Sequence, residues 1–164
     1  MINKNKGMLL ESIINKTINY YSENKIAYIE KKNLNINFKR LFVNQNNIIS
    51  VKDGIVSSKS TVDYIGCYQG KFIAFEAKST NEKVLPSSNV QIHQIDYLKK
   101  IADNGGIAFF IIFFGLYNDF FIVDIYDYIN RNKKPLAYEE VLKIGKKIEL
   151  EYPGLIDFLP HLNK

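Results

Sequence analysis

Four side chains, Thr61, Asp63, Glu76 and Lys78, are of types that could do chemistry together. Residues 61–68 and 71–78 flank the turn pair Gln69-Gly70, an arrangement that predicts a β-hairpin. A two-residue loop there sets Tyr68 opposite Lys71, hence Asp63 opposite Glu76 and Thr61 opposite Lys78. Side chains alternate along a strand, so these four share one face, while Tyr64, Gly66, Ile73 and Phe75 turn to the other as an apolar set. Carboxylates placed directly opposite one another, with Cβ atoms roughly 4.5–5.5 Å apart, repel. A divalent cation relieves that conflict, because carboxylate and hydroxyl oxygens are hard ligands of the kind Mg2+ or Mn2+ prefers. Lys78 adds a positive charge beside it. The set suits phosphodiester hydrolysis, with a metal-activated water as nucleophile and an ammonium to stabilise charge on the phosphorane. The same residues also fit a surface patch of ordinary salt bridges, and the hairpin alone leaves both readings standing.

The surrounding elements must hold this hairpin. Residues 7–24 predict an amphipathic helix from Leu10, Ile13, Ile14, Thr17 or Ile18, and Tyr21. Residues 26–30 form a short strand, and 33–60 read as a projecting arm because their apolar residues are few and interrupted. A helix over 90–103 closes at Gly105-Gly106. Residues 107–114 are apolar throughout, as a central strand covered on both faces is. A strand over 120–124 follows, then a helix over 136–147 opened by Pro135. Together they describe an α/β fold with a mixed sheet, a single domain over 1–164, with the arm of 37–58 inserted in it. Gln94 shares a helical stripe with Val90, Leu98 and Ile101 and so faces the protein, where backbone alone could satisfy it. His93 reads as packing or a phosphate contact. Phe109, Phe110, Phe113 and Phe114 read as core, and Lys143, Lys146 and Lys147 as a solvated helix face.

Charge divides unevenly. Residues 1–60 carry ten Lys/Arg against four Asp/Glu, and 61–164 carry twelve against thirteen. A basic half joined to a near-neutral half fits a polyanionic partner, above all nucleic acid, and equally fits lysines that only maintain solubility. The longest apolar run is about half the ~20 residues a membrane span needs. The single cysteine, Cys67, excludes an internal disulfide. With no signal-like stretch behind Met1, these features point to the cytoplasm.

Six ordered blocks carry a resemblance. They are Gly7-Met8-Leu9-Leu10-Glu11 with Ile14-Asn15 and Asn19-Tyr20-Tyr21; Ile26-Ala27-Tyr28-Ile29 with Lys31-Lys32; and Ser60-Thr61-Val62-Asp63-Tyr64 with Gly66 and Tyr68. Phe75-Glu76-Ala77-Lys78, His93-Gln94-Ile95 and Ile156-Asp157-Phe158-Leu159 follow. In these blocks the chain resembles the RecU-type Holliday-junction resolvases of Gram-positive bacteria, within the PD-(D/E)xK nuclease superfamily. The resemblance implies a restriction-endonuclease-like mixed sheet flanked by helices, with a projecting stalk. It further implies a homodimer that nicks two opposed strands of a four-way DNA junction symmetrically, in recombination and repair. It makes Thr61, Asp63, Glu76 and Gln94 the metal-site residues for Mg2+ or Mn2+, Asp63, Glu76 and Lys78 the catalytic set, and Glu11 an accessory near the metal. Lys31, Lys32, Lys39 and Arg40 become DNA contacts, and recombination proteins become further partners. The chain departs from the family in its arm, which is rich in asparagine, lacks proline and has Lys39, Arg40, Lys52 and Lys59 as its only cations. A PD-(D/E)xK nuclease acting on other DNA, and a protein that binds junctions without cutting them, are the alternatives.

Overall fold

Gln69 and Gly70 both take positive φ, 49° and 78°, the conformation that a two-residue turn matched to strand twist demands. They join β4 (Tyr64–Tyr68) to β5 (Lys71–Thr80) in the expected register, Tyr68 with Lys71 and Tyr64 with Phe75. The computed structural model describes residues 3–33, 35–43, 46–58, 61–131 and 135–162, and for 3–6, 35–40 and 51–58 the backbone alone.

Around this hairpin the chain runs α1 (Asn3–Glu23), β1 (Tyr28–Lys31), β2 (Asn35–Val43), β3 (Ile49–Ser58), then β4 and β5. It continues through β6 (Val84–Leu85), α2 (Ile92–Asp103), β7 (Ile107–Phe114) and β8 (Asp119–Asp124) to α3 (Ile125–Asn130), β9 (Leu136–Ala137), α4 (Tyr138–Ile144) and β10 (Lys146–Ile148). Six strands form one sheet in the order β1-β4-β5-β7-β8-β10. Only the β5–β7 pair is parallel, because α2 carries the chain back over the sheet between them.

Both faces of this sheet are covered. Leu10, Ile13, Ile14, Ile18 and Tyr21 of α1 pack with Tyr64, Ile73, Phe75, Phe109 and Phe113 on one side. Leu98 of α2, Ile125 and Tyr128 of α3 and Val141 of α4 cover Ala74, Phe110, Ile112, Phe114 and Phe121 on the other. β7 is therefore apolar at every position, and its four phenylalanines lie in the core. The C-terminal segment is laced onto α1. The buried Thr17 hydroxyl accepts from the Ile156 amide at 3.0 Å, and the Tyr21 hydroxyl donates to Asp157 Oδ1 at 2.7 Å while accepting from the Phe158 amide.

β1 approaches β4 so closely that a Cβ on Gly66 would meet the Tyr28 carbonyl oxygen at 2.1 Å, so only glycine fits there. β2 and β3 pair with each other as a separate two-stranded antiparallel sheet, over the span read as an arm. Exposed Leu41, Phe42, Val43, Ile48 and Ile49 lie toward its turn.

Several expectations need correction. The strand expected over 61–68 begins at Tyr64, leaving Thr61 and Asp63 in bends outside the ladder, so Thr61 is not paired opposite Lys78. The helix expected over 136–147 is three elements: Leu136 and Ala137 pair with β6, α4 spans seven residues, and Lys146 to Ile148 pair with β8. Lys146 and Lys147 are thus strand residues and not a helix face. Pattern reading also passed over α3, which Asp124 caps by accepting from the Tyr126 amide at 2.8 Å.

Candidate active site

The open end of the β4–β5 hairpin collects the polar residues. Lys32, just past β1, lies alongside it: its amide donates to the Asp63 carbonyl at 2.7 Å and extends the β1–β4 pairing one residue beyond Lys31 and Tyr64. Asp63 is held on every side. Its amide donates to Glu76 Oε2 at 3.0 Å, and its own Oδ2 accepts from the Ala77 amide at 3.1 Å. The residues that the register arithmetic set opposite one another do meet, the Asp63 amide on the Glu76 carboxylate, and the Asp63 charge acts on Glu76.

Glu76 is 1% exposed, and below it Phe75 is stacked between Tyr64 and Phe109 with ring centroids 4.8 and 4.9 Å away. An anion costs several kcal/mol to bury unless it is compensated, and here two donors converge on one oxygen. Lys78 Nζ lies 2.7 Å and Gln94 Nε2 2.5 Å from Glu76 Oε1. Burial first, and then the Asp63 charge, nevertheless push the Glu76 carboxyl up to about 7, with Lys78 pulling the other way. The pair is electrostatically frustrated in the way an added cation would relieve.

Gln94 reaches this site from the first turn of α2. Its Oε1 accepts from the amide of the N-cap residue Gln91 at 3.0 Å, which ties the helix start to Glu76. The expectation that Gln94 faces the protein holds, and its amide nitrogen is the part turned to the carboxylate. Thr61, half-buried, accepts at Oγ1 from Lys32 Nζ at 2.6 Å. Glu11 lies at the same end from α1, where it pairs with Lys31 at 2.5 Å and lines a recess with Asp63 and Ser79. Both partners of that pair are more than a third exposed, so it contributes little to stability.

The donor set fits a hard divalent ion of the magnesium type. Two carboxylates and a hydroxyl lie at one end of the sheet, with the Gln94 amide nitrogen bracing Glu76, and among the described residues no group of three or more His, Cys, Asp or Glu competes to hold a softer metal. An ion that keeps several waters needs no larger protein cage.

Of the cations expected to touch DNA, Lys31 is exposed and paired with Glu11, and Lys32 turns inward to Thr61. Lys39 and Arg40 lie on β2, and their side chains are outside the described residues. His93 is half-buried beside Gln94. The inward turn of Lys32 escaped sequence reading. Tyr28, Glu30 and Lys32 alternate on one face, but only the β1–β4 register places Lys32 beside Thr61.

Comparison with known proteins identifies relatives of the whole chain. The Holliday junction resolvase RecU of Mycoplasmopsis pulmonis (strain UAB CTIP) is 41% identical over 161 residues, which cover 98% of this chain and 95% of that protein. The Holliday junction resolvase RecU of Bacillus cereus (strain B4264) is 34% identical over 163 residues, covering 94% of this chain and 82% of that protein. Among solved structures, Archaeoglobus fulgidus Hjc, a Holliday junction resolvase from an archaeal hyperthermophile, matches with a TM-score of 0.52 at 12% identity, covering 82% of this chain and 93% of that one. That likeness concerns the fold, a restriction-endonuclease-like mixed sheet flanked by helices. The model of the family described as recombination protein U matches residues 5–164, and the chain belongs to that RecU family.

Proposed function

We propose that this chain is an endodeoxyribonuclease that resolves four-way DNA junctions, acting as a homodimer whose two sites nick opposed strands. The observation that carries the reading is the meeting of Asp63 and Glu76 at the open end of the hairpin, with the Lys78 ammonium 2.7 Å from Glu76 Oε1. Full-length similarity to proteins named as Holliday junction resolvases supports the substrate.

Asp63 and Glu76 would hold Mg2+ or Mn2+, with Thr61 and Gln94 completing the polar shell and Glu11 an accessory at its rim. Such an ion supplies the acidified water and the Lewis acidity that phosphodiester hydrolysis needs. Lys78 donates to a phosphoryl oxygen and stabilises the negative charge that grows there as water adds to phosphorus and the P–O bond of the leaving strand breaks. Gln94 and the Asp63 amide fix the Glu76 carboxylate, so its two oxygens do not wander during turnover. Exposed Lys31, with Lys39 and Arg40 of the arm, supplies phosphate contacts that position DNA without reading its sequence.

One domain over 1–164, with the 37–58 arm inserted in it, would place the arm at the crossover. Recombination proteins are further partners of the arm in this reading, and DNA as substrate places the work in the cytoplasm. Among the described residues no helix is long and apolar enough to cross a membrane.

The test is cleavage of a mobile four-way junction beside matched linear, flap and three-way DNAs, with Mg2+ and with Mn2+. Paired symmetric nicks confined to the four-way junction are the expected result. Equal cutting of all four DNAs would make the chain a general nuclease, and binding without cutting in either metal would make it a junction-binding protein.

A further inference from the structure

Lys32 has no place in the chemistry above, yet its surroundings are built. The ammonium stands 2.6 Å from Thr61 Oγ1 and 5.4 Å from the ring centroid of Tyr97 on α2. Its backbone amide donates to the Asp63 carbonyl at 2.7 Å. Among the described residues no carboxylate lies within ion-pairing distance of its Nζ, in contrast to Lys31 and Lys78. Lys32 is half-buried and Lys31 exposed, so adjacent lysines point to different tasks.

From this arrangement we infer that Lys32 is a positioning residue of the metal site, acting through Thr61. Thr61 and Asp63 sit in bends ahead of β4, outside the ladder that would otherwise fix them. Lys32 replaces the missing ladder twice over: its amide holds the Asp63 main chain, and its ammonium holds the Thr61 side chain. The donated hydrogen bond takes one lone pair of the Thr61 hydroxyl and aims the remaining one. The Tyr97 face holds the cation against α2, the helix that also delivers Gln94 to Glu76. One lysine therefore couples the Thr61–Asp63 segment to α2, the helix that carries Gln94. A purely electrostatic contact to DNA would leave the ammonium turned to solvent.

The inference rests on the nuclease reading, and its test is arranged to separate the two. Lys32→Met keeps the length of the stem and removes the donor. Junction-cleavage kcat, junction Kd and Mn2+ affinity by titration calorimetry are measured for wild type, Lys32→Met, Thr61→Val and the double variant, with circular dichroism to verify folding. Losing a group that orients a metal ligand costs roughly 10- to 100-fold in metal affinity or activity. Lys32→Met is expected to lose that much in kcat or in Mn2+ affinity, with junction Kd unchanged. The loss should disappear when Thr61 is already valine. Lys32→Arg, which keeps a donor on a long stem, should retain most of the function. Additive losses in the double variant, an Arg variant as impaired as Met, or a Kd loss matching the kcat loss would each overturn the inference. If wild-type protein cut no junction, the nuclease reading would fall while the Mn2+ affinities still decided the role of Lys32. Absence of Mn2+ binding by wild type would overturn both.

Discussion

Glu76→Gln isolates the cost of a buried carboxylate facing another. The wild-type carboxyl has its midpoint pushed from an ordinary 4.5 up to about 7, by burial and by Asp63. Below pH 4.5 the folded and unfolded chains both hold the proton. Between 4.5 and 7 the unfolded chain has released it and the fold has not, so stability falls as pH rises. Above about 7 the loss is complete. At about 1.4 kcal/mol per pH unit, the whole loss is about 3 kcal/mol. Glutamine keeps an oxygen for one of the donors and cannot ionise, so the variant escapes this term. Urea unfolding in EDTA at pH 4.5, 6, 7 and 8, for wild type and variant, gives the difference directly, and titrating groups that do not interact with Glu76 cancel in it. The gap is expected to move by about 3 kcal/mol in favour of Glu76→Gln between pH 4.5 and pH 8. Adding Mn2+ at pH 8 should then stabilise wild type far more than the variant. A gap that stays constant with pH would refute the reasoning, because it would mean that Glu76 ionises in the fold as easily as in the open chain.

Three further outcomes are expected. Lys78→Ala should lower junction cleavage by about 10²–10³-fold, the loss typical of one oxyanion donor, with junction affinity nearly unchanged; equal losses in both would make Lys78 a plain phosphate anchor. Phe75→Ala removes the middle ring of the Tyr64–Phe75–Phe109 stack beneath Glu76 and should cost about 3–5 kcal/mol in urea unfolding; a cost under about 1 kcal/mol would show that the stack is dispensable. Replacing residues 37–58 with a Gly-Ser turn should preserve thermal unfolding and Mn2+ affinity while removing the preference for four-way junctions over linear duplex; paired, symmetric junction nicks by that variant would exclude the arm from recognition.

Where local chemistry governs, the fold was legible in the chain. The Gln69-Gly70 turn and the alternation around it place Asp63 against Glu76 by counting, and the unbroken apolar run from Ile107 to Phe114 marks β7 as central. The segment 136–147 misled, because Leu136 and Lys146 are drawn into strands by partners in β6 and β8 that no local pattern reveals. A signal was present: the Gly145 amide donates to the Val141 carbonyl at 2.8 Å, and a Cβ at Gly145 would press that carbonyl at 2.9 Å, so the glycine ends the helix before Lys146. At the site, carboxylate pairing follows from the register of one hairpin. The Lys32–Thr61 contact depends on a second pairing, between β1 and β4, across the whole arm. Gln94 was placed on the inward stripe by helical period, but which of its amide atoms meets Glu76 depends on the Gln91 amide that occupies its oxygen.

The central claim is that Asp63 and Glu76 carry metal-dependent cleavage of branched DNA while other residues carry its binding. The direct measurement is cleavage and binding of one mobile four-way junction by Asp63→Asn beside wild type, in saturating Mg2+ and Mn2+. Phosphate contacts by lysine and arginine supply most of the affinity for DNA, so the variant is expected to bind the junction as wild type does and to leave all four strands intact. Paired nicks by Asp63→Asn at the wild-type rate would contradict the account.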